Sequence, residues 1–63
     1  MIPSDPNMLL SFVNMKLRDQ YASLQELCED LDEDEVQIED RLKTIGYRYQ
    51  ADRNQFTAER RQL

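Results

Sequence analysis

The sequence predicts a mainly α domain: a three-helix, helix-turn-helix-like bundle followed by a small C-terminal β-hairpin, the outline of a reduced winged helix. Three observations predict it. Apolar residues recur at helical spacing through three successive stretches, a helix-starting signal precedes each, and after Gly46, the only glycine, the period changes from helical to alternating.

Residues 1–6 contain both prolines and read as an extended arm, with Asp5 or Ser4 as cap and Pro6 suited to a first helical position. The first helix is expected over 7–19. Met8, Leu9, Leu10, Phe12, Val13, Met15 and Leu17 cover most of its circumference, leaving a narrow polar strip of Ser11, Asn14 and Arg18. Such a helix belongs at the centre of a core. Its apolar surface nevertheless exceeds what one small partner layer needs, which makes Met8, Phe12 and Met15 the candidates for self-association and leaves room for a homodimer.

The second helix is expected over 23–31. Ser23 and Glu26 have capping-box spacing, the hydroxyl accepting from the Glu26 N–H and the carboxylate reaching back to the Ser23 N–H. Leu24, Leu27, Cys28 and Leu31 then share one stripe. Asp32 and Glu35 repeat the spacing, and the run Asp32 to Glu35 sets negative charge at the start of a third helix, expected over 33–45. Val36, Ile38, Leu42 and Ile45 are its apolar set, and Gly46 with Tyr47 reads as a Schellman ending. Tyr47 and Tyr49 alternate with Arg48 and Gln50, residues 51–54 read as a turn, and Gln55, Phe56 and Thr57 return, giving a hairpin over 47–57. Tyr47, Tyr49 and Phe56 would close the core. The competing reading is a fourth helix over 51–61, which Asn54 and Thr57 weaken. Residues 58–63 are expected to fray.

A chain of 63 residues with 40% apolar content makes a single small domain with one core and no roomy ligand pocket. A single cysteine cannot form an internal disulfide, and no secretory or spanning stretch occurs, so the cytoplasm is the expected compartment. Cys28 reads as a small hydrophobe rather than a reactive thiol. The first helix has only about half the roughly 20 apolar residues a membrane span needs.

The segments MIPSDPNMLLSFVNMKLRDQY, LCEDLD and LKTIGYRYQADRNQF, which cover nearly all of the chain, resemble a family of small bacterial proteins of unknown function. The resemblance implies no activity and supplies no site residues to carry over.

Chemistry is narrowed mainly by what is missing. There is no histidine for a triad, an imidazole base or an ordinary zinc site, and an enzyme or a bound cofactor is not expected. Asp30, Asp32 and Asp34 alternate like the opening of a calcium loop, but Glu35 stands where glycine is required and Arg41 where the bidentate glutamate belongs. Nucleic acid needs cations facing phosphate. From Glu26 to Asp40 there are nine acids and no lysine or arginine, so the helix that would enter a groove repels it. The expected role is therefore a non-catalytic protein-interaction module whose acidic face comprises Glu29, Asp30, Glu33, Asp34, Glu39 and Asp40. The alternative is a divergent winged-helix-like nucleic-acid-binding domain working through Arg48, Arg53, Arg60 and Arg61.

Overall fold

The computed structural model describes residues 2–59, in the order α1 (Pro6–Asp19), α2 (Leu24–Leu31), α3 (Glu35–Lys43), β1 (Tyr47–Gln50) and β2 (Gln55–Ala58). Three helices plus a two-stranded antiparallel hairpin is the architecture expected from the sequence. Arg60 to Leu63, most of the segment expected to fray, lie outside the described residues.

The Asp5 carboxylate accepts the Met8 N–H at 3.1 Å, which satisfies one orphan donor, and Pro6 opens α1. Ser23 caps α2, its hydroxyl accepting from the Glu26 N–H at 3.1 Å. The second arm of the expected capping box differs: the Glu26 carboxylate accepts from the N–H of Ala22, at 3.4 Å, and not from Ser23.

The α2–α3 link corrects the sequence reading most. Asp32 does not start α3; it ends α2 in the left-handed conformation, with φ 56°, and the Glu33 N–H reaches back to the Cys28 carbonyl at 2.8 Å. That is a Schellman ending, placed at the aspartate because a short polar side chain tolerates left-handed backbone at modest cost. Asp34 is the cap of α3, accepting from the Val36 N–H at 2.9 Å, so the helix begins at Glu35 and not at residue 33. At the other end α3 stops at Lys43. Ile45 and Gly46 make tight bonds three residues back, to Leu42 at 3.2 Å and Lys43 at 2.9 Å, and Gly46 then turns the chain into β1 with φ 81°.

Leu9, Val13 and Leu17 of α1, Leu24, Leu27 and Cys28 of α2, Ile38 and Leu42 of α3, and Phe56 of β2 form the core. Tyr47, Tyr49 and Ile45 pack against it half-buried, whereas Val36, grouped with the apolar set in the sequence, is 62% exposed. Tyr49 pairs with Phe56 across the hairpin, ring centroids 5.5 Å apart. The loop 51–54 is a turn and β2 follows it, so the described part of 51–61 is not a fourth helix. β2 runs through Ala58, one residue beyond the expected hairpin, and the Glu59 N–H continues the ladder to the Gly46 carbonyl at 2.7 Å.

Candidate partner-binding face

Ile38 and Leu42 turn one side of α3 inward, and Leu24, Leu27 and Cys28 do the same for α2. The carboxylates between Glu26 and Asp40 are left on the outside: eight of the nine are exposed and Glu33 is half-buried. Their hydrogen bonds are local and to neutral donors. Glu29 accepts from the Gln25 amide at 3.3 Å, Asp30 from the Tyr21 hydroxyl, Glu26 from Ala22 and Asp34 from Val36. The ion pairs among the described residues are Arg18–Asp19 at 3.0 Å and Arg48–Glu59 at 3.4 Å, and neither involves any of the nine.

The six candidate residues do not form one tight group. Glu29 and Glu33 line an open hollow with Asp32 and Glu35, above the edge of Cys28. Asp30 shares a neighbouring hollow with Glu29, Glu26 and Tyr21. Burial pushes the Cys28 thiol up to about 11, and the negative charge of Glu35, Glu33, Asp34 and Glu39 pushes in the same direction. The hydrogen bond from Tyr21 to Asp30 raises the phenol above its ordinary value. Asp34, Glu39 and Asp40 are exposed and line neither hollow. Among the described residues no three acidic or thiol side chains converge to hold a metal ion.

The arginines fall elsewhere. Arg48 lies exposed on β1, tied to Glu59, and Arg53 sits in the loop, in a hollow with Gln50, Asp52, Thr57 and Ala58. On the described hairpin these two cations are matched by two carboxylates, Asp52 and Glu59. Arg60 and Arg61 lie outside the described residues. Of the self-association candidates, Met8 is 62% and Met15 42% exposed, while Phe12 is half-buried against the core with the Lys16 ammonium 5.6 Å from its ring centroid.

One polar cluster has no counterpart in the sequence reading. The Asn14 amide accepts from the Phe56 N–H at 2.7 Å and donates to the Phe56 carbonyl at 3.0 Å. The ladder alternation points this backbone away from β1, so Asn14 stands in for a third strand on the β2 edge. Asn54, left-handed at φ 53°, donates to the carbonyls of Leu17 at 3.1 Å and Tyr21 at 2.9 Å, and accepts from the Tyr49 hydroxyl at 2.6 Å. Tyr49 in turn accepts the Leu24 N–H at 3.2 Å. The hairpin turn thereby holds the α1–α2 corner, which fixes the direction in which α2 presents its carboxylates.

Residues 3–56 match the family described as a domain of unknown function, DUF4250. The chain belongs to the DUF4250 family. The DUF4250 match begins in the arm before α1 and ends at Phe56, the residue through which the hairpin closes the core. All nine carboxylates and the Asn14 and Asn54 clamps lie within that DUF4250 span, whereas Glu59, Arg60 and Arg61 fall outside it. Comparison with curated proteins and with solved structures finds no match. Among the described residues no helix is long and apolar enough to cross a membrane.

Proposed function

We propose that this DUF4250 domain is a non-catalytic, cytoplasmic protein-interaction module that offers the acidic helix-turn-helix face, Glu29, Asp30, Glu33, Asp34, Glu39 and Asp40, to a basic partner surface. The observation that carries this reading is that nine carboxylates lie on two adjacent helices and their link with no ion pair to any of them among the described residues. Unpaired exposed carboxylates repel one another, and a partner bringing lysine or arginine relieves that repulsion. Such a surface acts mainly on encounter rate and selectivity, and it weakens as salt rises. The face needs no proton transfer and no cofactor for this role.

The test is fluorescence anisotropy with a labelled lysine- and arginine-rich helical peptide, run against a salt series and beside duplex DNA. Each exposed carboxylate is worth roughly 0.2–1 kcal/mol, so the triple variant E29Q/E39Q/D40N loses about tenfold in affinity. Asp19→Asn, which removes a carboxylate away from the face, leaves the affinity unchanged. Equal losses in both proteins would sink the proposal. Duplex DNA binding that falls steeply with salt would move the function to the hairpin arginines Arg48 and Arg53 together with Arg60 and Arg61.

A further inference from the structure

Helix α1 carries two apolar stripes; the core buries one and takes only part of Phe12 from the other. Leu9, Val13 and Leu17 point inward and are fully or almost fully buried. On the other side Met8, Ser11, Phe12 and Met15 follow at i, i+3, i+4 and i+7, the spacing of a helix–helix seam. Met8 and Met15 are 62% and 42% exposed, and Phe12 is only half-covered. Two turns separate the methionines, roughly 10.5 Å along the axis, with Ser11 between them as a small residue that lets a second helix approach.

The charges along this helix select the occupant. α1 has two cations, Lys16 and Arg18, against one carboxylate, Asp19, whereas α2 has carboxylates alone and α3 has three against Arg41 and Lys43. In a chain of net charge -5, α1 is the helix on which two copies meet with least repulsion. Orientation follows from the same residues. With the two helices antiparallel about the midpoint between Ser11 and Phe12, Met8 faces the partner's Met15, and Arg18, already paired with Asp19 at 3.0 Å, is kept at the far end from the partner's Arg18. A parallel pair would set Arg18 against the partner's Arg18 and align the helix dipoles side by side.

We propose that α1 pairs antiparallel with α1 of a second copy across Met8, Ser11, Phe12 and Met15, forming a two-fold dimer. The contact is a single helix seam, below the roughly 1,200 Å² of standard interfaces, so the dimer is weak and concentration-dependent. It uses none of the acidic-face residues, so it stands or falls separately from the function proposed above, and each dimer would present two acidic faces.

Sedimentation equilibrium from about 10 µM to about 1 mM spans the range in which a seam this small dissociates. The expected mass rises from 7.6 kDa towards twice that value. Met15→Glu and Met8→Glu each weaken the dimer at least about tenfold while far-UV circular dichroism stays that of the parent, because both side chains are exposed. Mixing M8C with M15C protein under oxidised glutathione then gives the mixed disulfide dimer ahead of either homodimer. A monomer throughout the concentration range, a dimer indifferent to both glutamate variants, or a preference for the two homodimeric disulfides would each overturn the proposal.

Discussion

Asn54 is the residue whose replacement reports most directly on how the hairpin holds the helices. Its side chain makes three hydrogen bonds, to the Leu17 and Tyr21 carbonyls and from the Tyr49 hydroxyl, while its backbone sits at φ 53°. Asn54→Gly keeps the backbone free to adopt that angle and removes only the bonds. At about 1 kcal/mol net for each bond, the loss is about 2–3 kcal/mol, the Tyr49 hydroxyl keeping its bond from Leu24. A 63-residue domain has roughly 3–9 kcal/mol in total, so the variant gives up about a fifth or more of its stability. The expected fall in Tm is about 10–20 °C. Asn54→Ala adds a left-handed penalty of about 1–2 kcal/mol, partly offset by the lower unfolded-state entropy of alanine, and ends about 0.5–1 kcal/mol below the glycine variant. Urea unfolding followed by circular dichroism measures both. A glycine variant within about 0.5 kcal/mol of the parent would refute the clamp, because bonds of this number and geometry cannot all be lost for so little.

Three further outcomes are expected. Asn14→Leu strands both backbone groups of Phe56 and costs about 1–3 kcal/mol by urea unfolding; Asn14→Asp is as damaging at neutral pH but recovers towards about pH 4 and below, where the protonated acid again donates to the carbonyl, so its stability falls as pH rises. Gly46→Ala meets no atom within 4 Å and therefore costs only the conformational penalty of φ 81°, about 1 kcal/mol by thermal melting. The Cys28 thiol, pushed from 9.0 up to about 11, favours the folded state below pH 9 and loses that contribution between 9 and about 11; this part of the alkaline decline disappears in Cys28→Ala, and maleimide labels the native thiol far more slowly than the unfolded one.

The helices were legible because each carries a periodic stripe and a capping residue, and the hairpin because Tyr47, Tyr49 and Phe56 alternate around a turn. The exact joints were not. Asp32, Asp34 and Ser23 all carry side chains that accept from a helix N-terminus, and spacing alone does not show that Asp32 takes a left-handed C-terminal position and leaves the cap to Asp34. Val36 fitted the apolar set by type, yet two positions before Ile38 it lies on a different side of α3 and ends 62% exposed. Asn14 and Asn54 were read through local propensity, as a polar strip and a turn residue. Their partners are 42 and 37 residues away, and no local pattern encodes such pairings. The acidic face was visible as a charge run; that Glu29, Asp30 and Glu33 line two hollows while Asp34, Glu39 and Asp40 line neither depended on how the folded chain packs around Tyr21 and Cys28.

The most direct measurement of the acidic-face account is an amide chemical-shift map of the labelled domain titrated with the basic helical peptide at low salt. Shifts confined to α2, the link and the first turns of α3, around Glu29, Asp30, Glu33, Asp34, Glu39 and Asp40, and reversed by added salt, are the predicted result. The four carboxylates away from that face, Asp5, Asp19, Asp52 and Glu59, serve as the internal control. Shifts spread equally over those four, or centred on Arg48 and Arg53, would contradict it.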